Sequence, residues 1–479
     1  MSHFHQKCNF FSKKIKKKHK NLHKSSKVSI LASCNVILNQ PNRSFMTANA
    51  LPTNRLVALD VFRGLTIALM FIVNNPGTWS FIYAPWEHAY WHGVTPTDWV
   101  FPFFLFAVGI SAWYSLKKYE NQPPVDLYWK ILKRGATIFL IGLALNAFLI
   151  SAADYSHLRI MGVLQRIGIC YIIGSMICVS FNRATVGIIG VVLLVWYHVM
   201  MLFGGDPQFP YGLEVVGADG SSMQHLDTNL VTEIDKKVFG ENHLWRGKGT
   251  AFDPEGLLST IPAIVTVILG YFAGRMVDTT SDRMLLVRNM LIWGMIGLAA
   301  AWVLSNTTLF GQWACPINKS LWTPTYVLNT AGTAIIILGI LIWFIDIQGF
   351  KGWTKPVLVL GMNSILAFVL SGVYVKTISK FKFDSTVETV VQKWDNQTVP
   401  KRIGGYQKWY ETVFSPLTTP NALLASAKSK QLTKAGNPNE WASFVKKQKL
   451  SSFLFAIFHV LFFWFILWIF YIRGIFLKV

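Results

Sequence analysis

Acidic side chains are scarce: Asp and Glu number 23 against 45 Lys and Arg, and none precedes Asp60. Charge of either sign is thin as well, at 14% of 479 residues, while 52% are hydrophobic. Soluble domains carry roughly a quarter of their residues as charges, so a water-surrounded fold is excluded. Cysteine is sparse. Cys8, Cys34, Cys170, Cys178 and Cys315 form no CxxC pair, which argues against structural zinc, and the orientation derived below leaves only Cys315 facing outward, so no external disulfide is expected. Cys170 and Cys178 are expected to pack as small apolar side chains within a span. Also missing is a pair of Gly/Pro-broken spans recurring in both halves, the mark of an inverted-repeat carrier.

What the chain has instead is long apolar runs. A spanning helix needs roughly 20 apolar residues to cross about 30 Å of hydrocarbon. About ten windows qualify, near residues 56 to 77, 97 to 117, 129 to 150, 160 to 181, 184 to 204, 257 to 276, 285 to 304, 324 to 346, 355 to 375 and 452 to 473. They predict an all-α, polytopic transmembrane helical bundle. The net charge of +22 then points to the lipid bilayer and not to nucleic acid, because the cations gather outside the apolar runs. Residues 1 to 55 hold eleven Lys and Arg and no acid. The short basic loops with Lys117 to Arg134, Arg183, Arg275 to Arg288, and Lys351 with Lys355 recur on one side, as does the tail with Arg473 and Lys478. This pattern predicts both termini in the cytoplasm and, in a bacterial cell, an inner-membrane location. Residues 1 to 50 read as a basic, disordered extension in which Met46 is an alternative start. Residues 51 to 479 form the membrane domain, with extracytoplasmic loops at 205 to 256 and 376 to 450.

The stretch from Asp60 to Gly109 organises the rest. Two apolar spans flank the aromatic segment WEHAYWHG, in which His88 stands between tryptophans, with Asn74 closing the first span and Asp98 opening the second. An imidazole takes up and releases a proton near neutral pH, and at the lip of a bilayer it has little water to compete with. Taken alone, such a histidine is more often packed or interfacial. His88 and His92 are four apart, which suits a metal on a helix, but no third ligand stands in the local pattern and no metal is expected.

Ionisable residues within spans each cost about 2.5 to 3.5 kcal/mol at the helix centre, so they should line a cavity. Arg63 lies one or two turns into the first span, and Arg159 and Arg166 bracket RIMGVLQR in the fourth. Asp60, Arg63 and Asp98 either pair with one another or serve a site. Arg166, apolar on both sides, wants an anionic partner. Asp253 and Glu255, at the mouth of the sixth span, either receive a sugar hydroxyl or ammonium, or Asp253 caps the helix. Trp322 is expected in the interfacial aromatic belt.

Several motifs carry a resemblance. DVFRGLTI, then VN, HAYWHGVTPTDWVFPFFLFAVGIS, RIMGVLQRI, DPEGLLSTIPAI, LWTPTYVL and GMNSILAF, ending in YIRGIFLKV, follow one another from about Arg55 to the C-terminus. Together they resemble the bacterial branch of the heparan-α-glucosaminide N-acetyltransferase family. The resemblance implies a membrane acetyltransferase that takes acetyl-CoA as co-substrate on the cytosolic side, holds no permanent cofactor, and delivers acetyl to the amino group of a glucosamine-type sugar at the opposite face. It implies that His88 is the essential histidine, Asn74 its nearby asparagine and Asp98 the aspartate of the T-x-x-D-hydrophobic-F-P motif. Where lysosomal members have Asn in the HAxWNG segment this chain has His92, and their long N-terminal lumenal domain has no counterpart in it. Both departures bear on whether heparan is the acceptor.

The chemistry of the residues is compatible with that implication. CoA is polyanionic and cannot cross hydrocarbon, so transfer needs a cavity in which the thioester meets a base or nucleophile. His88 either becomes acetylated and passes the group on, or deprotonates the amine for direct attack. Asn74 either orients the ring or donates to the developing oxyanion, and Asp98 either holds the other ring nitrogen or caps its helix. The CoA phosphates are expected at Lys130, Lys133 and Arg134, with Arg275 as an addition and Arg166 as a further cofactor contact. The competing class is a permease for an amino sugar or oligosaccharide. Acyl transfer to a cell-envelope polysaccharide changes the acceptor only, and a homodimer stays open.

Overall fold

The computed structural model describes residues 56 to 476, apart from 121–122, 151, 206–210, 212–213, 217–221, 225–228, 248–249, 392–397 and 420–437. The expected N-terminal extension, 1 to 50, lies outside the described residues. The described helices of nine residues or more are α1 (Val57–Asn74), α2 (Val100–Leu116), α3 (Val125–Ala147), α4 (Val163–Ser180), α5 (Arg183–Phe203), α6 (Leu230–Phe239), α7 (Thr260–Thr279), α8 (Arg283–Leu304), α9 (Pro324–Leu341), α10 (Thr354–Met362), α11 (Ser364–Lys380) and α12 (Pro438–Ile472). Two antiparallel hairpins, β1 (Glu214–Val216) with β2 (Ser222–Gln224) and β3 (Lys382–Val391) with β4 (Thr398–Gly404), lie in the two long loops.

Among the described residues eight helices are long and apolar enough to cross a membrane, or nine if the pair α10 and α11, bent by 74°, is one broken span. The remaining expected window, α3, is a helix of spanning length that is less apolar than these. Its window carries Lys130, Lys133 and Arg134, too many charges for the apolar set. α3 still accompanies α4 from end to end. The hydroxyls of Tyr128 and Ser180 meet at 2.7 Å at one end, and at the other Asn146 Nδ2 donates to the carbonyls of Arg159 (2.9 Å) and Met161 (3.3 Å). α12 has 35 residues, about 52 Å at the helical rise, so its first turns stand outside the apolar 452 to 473 window. Cys170 and Cys178 are buried among apolar neighbours, as expected.

Small residues set the packing. Lipid supplies no hydrophobic drive between helices, so close backbone approach and van der Waals contact hold them together. A Cβ on Gly270 would lie 2.1 Å from Phe106 O, and one on Gly109 2.1 Å from Val267 O; α2 and α7 therefore touch through bare backbone. Gly270→Val is expected to push these helices apart at a cost of about 1 to 3 kcal/mol or more. Size-exclusion profiles of solubilised protein check this, with Gly187→Val, where a Cβ meets nothing within 4 Å, expected to elute as the parent does.

The second long loop is folded over its described part. Beyond the β3 and β4 hairpin, Tyr406 OH donates to Pro76 O (3.3 Å), the Tyr410 ring lies against Gly77, and Thr78 N donates to Ser452 Oγ (3.2 Å). This segment and the start of α12 brace the connection that follows α1. That connection carries His88.

Candidate functional site

Four connections converge at one end of the bundle: 75–99, 148–162, 204–259 and 305–323. Backbone bonds from Gly93 N to Ile317 O (2.7 Å) and from Ile160 N to His243 O (3.2 Å) knit them, as does the Trp91 indole on Tyr211 O (3.1 Å). The chain around His88 is not helical, so His88 and His92 share no helix face. Among the described residues no three His, Cys, Asp or Glu are grouped to hold a metal.

His88 Nδ1 donates to Asp98 Oδ1 at 2.7 Å. Asp98 takes both roles left open by its position. While Oδ1 holds the imidazole, Oδ2 accepts from Ala89 N (3.1 Å), Thr95 N (3.0 Å) and Thr95 Oγ1 (3.1 Å), closing a capping box at the turn before α2. The Tyr326 hydroxyl fixes the Asp98 carbonyl at 2.6 Å. The Asp98 side chain is 1% exposed and that of His88 42%. A carboxylate accepts only, so Nδ1 carries the proton and Nε2 keeps its lone pair for chemistry.

Lys319 was not legible as a site residue. Its Nζ lies 3.1 Å from His88 Nδ1, 3.3 Å from Nε2 and 3.6 Å from Asp98 Oδ1. One signal was available: Lys319 is the single charged residue between Arg288 and Asp346. Burial and then the Lys319 charge lower the His88 imidazole from its ordinary value, against Asp98 and Glu255. With the ring this exposed, the neighbouring ammonium is the firmer cause. Burial also lowers the Lys319 ammonium, opposed by Asp98 and Glu255.

A second charged cluster lies in the same field. The Arg159 guanidinium grips Asp253 with two bonds, Nε to Oδ2 at 2.8 Å and Nη2 to Oδ1 at 2.6 Å, and reaches Glu255 Oε2 at 2.5 Å. The Asp253 side chain is fully buried and that of Glu255 14% exposed. Asp253 is therefore no open receiver at the span mouth, and it does not cap α7, which begins at Thr260. The turn into α7 is held instead by Asp235 of α6, whose Oδ1 accepts from Leu257 N at 2.8 Å. Burial raises Asp235 to about 7.

Arg166 is fully buried. Its Nη2 donates to Gly256 O (3.0 Å) and to Ser259 Oγ, and its guanidinium lies 5.1 Å from the Trp322 ring. Among the described residues no carboxylate is in ion-pair contact with it as the expected anionic partner; Arg166 ties α4 to the entry of α7. Trp322 departs from the aromatic belt: it is 1% exposed, with φ at +51°. That conformation is strained for a bulky residue, and such strain collects at functional sites. The turn holds it through Leu321 N on Asn318 Oδ1 (2.9 Å) and Trp322 N on Lys319 O (3.1 Å). Asn74 is exposed and makes no hydrogen bond to His88, whereas its neighbour Asn75 is buried, with Nδ2 on Phe71 O at 3.0 Å.

Between the helices a partly open cavity of about 110 Å³ is lined by Arg63, Arg134, Tyr171, Ser111 and Ser364 in an otherwise apolar wall. It reaches from Val163, in the first turn of α4 at the His88 end, to Ser111 near the other end of α2. Arg63 Nη2 donates to Ser364 Oγ at 3.1 Å; the Arg134 guanidinium lies 5.0 Å from the Tyr171 ring, and its buried Nε has no partner. Of the cations expected to meet CoA, only Arg134 lines this space. Lys130 and Lys133 are exposed on α3, Arg275 sits 5.7 Å from the Trp113 ring, and Arg166 turns away.

These features define a polytopic membrane protein whose loops at one end assemble a histidine–aspartate pair, with a cavity lined by two arginines between its helices. A family model described as "Heparan-alpha-glucosaminide N-acetyltransferase, catalytic" matches residues 55–310, more than half of the chain, and the chain belongs to this family. Among curated proteins it is 29% identical over 360 residues to heparan-alpha-glucosaminide N-acetyltransferase of Mus musculus and 30% identical over 365 residues to that of Homo sapiens, covering 66% and 67% of this chain and 53% of each relative. The chain spans about half the length of the curated relatives it matches. The matched model includes His88, Asp98 and Arg159 and stops short of Lys319.

Proposed function

We propose that this protein transfers the acetyl group of cytosolic acetyl-CoA to the amino group of a glucosamine-type sugar on the other side of the membrane. The observation that carries the reading is the His88–Asp98 pair, in which a buried carboxylate orients the ring and leaves the lone pair on Nε2, beside the Lys319 ammonium, to act as base or nucleophile. The amine nitrogen bonds to the thioester carbonyl carbon, the C–S bond breaks, and the amine proton passes through Nε2 to the departing thiolate. Relay through an acetylated Nε2 has the same balance. On the acceptor side Glu255 keeps some exposure, and its carboxylate suits an amino group or hydroxyl.

The cavity supports the donor side. Arginines in an apolar wall suit the anionic phosphates of CoA, and the space runs along the bundle toward His88. Arg63→Gln combined with Arg134→Gln is expected to raise the apparent KM for acetyl-CoA about tenfold or more, the worth of lost charge-assisted bonds. The KM for the sugar and the behaviour of Lys130→Gln with Lys133→Gln should stay near the parent. Initial-rate measurements against each substrate check this.

The permease reading keeps one observation, the broken span at Asn363, whose Ser364 and Ile365 line the cavity; carriers build sites at such breaks. Purified protein given acetyl-CoA and glucosamine separates the two. Release of free CoA thiol matched by N-acetylglucosamine means transferase, whereas no thiol release together with sugar accumulation in vesicles means permease.

A further inference from the structure

We propose that Lys319 is the electrophilic partner of the His88–Asp98 pair, its ammonium placed 3.3 Å from Nε2 to meet the thioester carbonyl oxygen as negative charge develops there. The inference rests on the acyl-transfer reading. A carbonyl carbon presented to Nε2, or to an amine that Nε2 is deprotonating, brings its oxygen within reach of Nζ. During attack the carbonyl π pair moves on to oxygen; when the C–S bond breaks, that pair returns and sulfur leaves with the bonding electrons, taking its proton from the imidazolium. Lys319 contributes charge and keeps its own protons. A fixed cation at the developing oxyanion needs no reorganisation at the moment of reaction.

A purely structural role explains less. The backbone of Lys319 already holds the turn, its carbonyl accepting from Trp322 N, so the side chain is not needed there. As an ion pair with Asp98 it is long, at 3.6 Å, on an oxygen that His88 occupies at 2.7 Å. The side chain is 22% exposed and is aimed at the ring. Three charged groups face His88: Asp98 from the turn before α2, Lys319 from the loop before α9 and, from farther off, Glu255 from the loop before α7. Lys319 is the cation of the three. It opposes protonation of the resting imidazole and so preserves the base.

Two variants test this. Lys319→Gln is expected to lower kcat about 10² to 10³-fold with the KM for acetyl-CoA little changed, and Lys319→Arg to restore part of the rate. Loss of a positive charge beside His88 favours the imidazolium, so the acid limb of the kcat/KM profile moves to higher pH in Lys319→Gln and stays near the parent's in Lys319→Arg. A readout independent of turnover is carbethoxylation of His88 by diethyl pyrocarbonate against pH, followed by peptide mass, since only the neutral ring reacts. An upward shift of that titration in Lys319→Gln, absent in Lys319→Arg, supports the assignment. The same midpoint in Lys319→Gln as in the parent, or Lys319→Arg as slow and as shifted as Lys319→Gln, overturns it. A parent that releases no thiol while the titration still shifts sinks the acyl-transfer reading and with it the carbonyl role; an active parent with no shift sinks only the Lys319 assignment.

Discussion

Replacing His88 by Ala is expected to lower acetyl transfer about 10³-fold or more while leaving the protein inserted and folded. The loss follows from removing the base or nucleophile that Asp98 orients, since proton transfer by a positioned side chain supplies about 10² to 10⁴-fold and misaligned attack adds to this. Folding is spared because the ring sits in a loop with 42% of its side chain exposed, so truncation opens no core cavity. Asp98 keeps its three donors on Oδ2. Asp98→Asn should lose comparable activity for a different reason: an amide can present its N–H to Nδ1, turning the ring to the tautomer whose Nε2 is protonated. Initial rates in membranes of equal protein content check both. A His88→Ala rate equal to the parent's contradicts the site assignment.

Arg159→Met should be the most damaging change to stability. Asp253 is fully buried and bonded twice to the guanidinium, so Met leaves a carboxylate without its counter-charge. Breaking a buried pair from one side costs about 3 to 5 kcal/mol. The damage should be felt at His88, because Glu255, held by the same guanidinium, lies within electrostatic reach of both His88 and Lys319. Removing the charges together separates pairing from packing: Arg159→Met with Asp253→Asn should recover part of the lost thermal midpoint, because the fully buried carboxylate is gone and only the partly exposed Glu255 is left without its counter-charge. Thermal denaturation of the solubilised single and double variants reads this. A double variant no more stable than Arg159→Met alone would show that the cost lies in packing.

The spans were legible because an apolar run of about 20 residues has one outcome in a bilayer. α3 was legible as a helix of spanning length, although Lys130, Lys133 and Arg134 make its first half polar. Asp98 was legible in both roles because capping is local, with Thr95 three residues before it. What escaped was tertiary. Arg159 meets Asp253 across 94 positions and Lys319 meets His88 across 231, distances at which local pattern carries no pairing information. Trp322 has the composition of a belt residue, and only the turn that sets it at positive φ sends it inward. For Asn74 and Asn75 the motif could not say which faces the core; the helix end exposes the first and buries the second. Arg63 and Arg134 are each legible as charges in or beside a span, but the cavity that both line depends on how α1, α2, α3, α4 and α11 pack.

The proposed activity carries acetyl across the membrane while CoA and the sugar stay each on its own side. Proteoliposomes with sidedness checked by protease, acetyl-labelled acetyl-CoA confined to the compartment opposite the His88 loop and glucosamine to the compartment that loop faces, provide the test. The account predicts labelled N-acetylglucosamine in the sugar compartment and an equal amount of free CoA thiol in the donor compartment, with both lost in His88→Ala. Unmodified glucosamine gathering in the donor compartment, or product formed only when both substrates share a compartment, would contradict it.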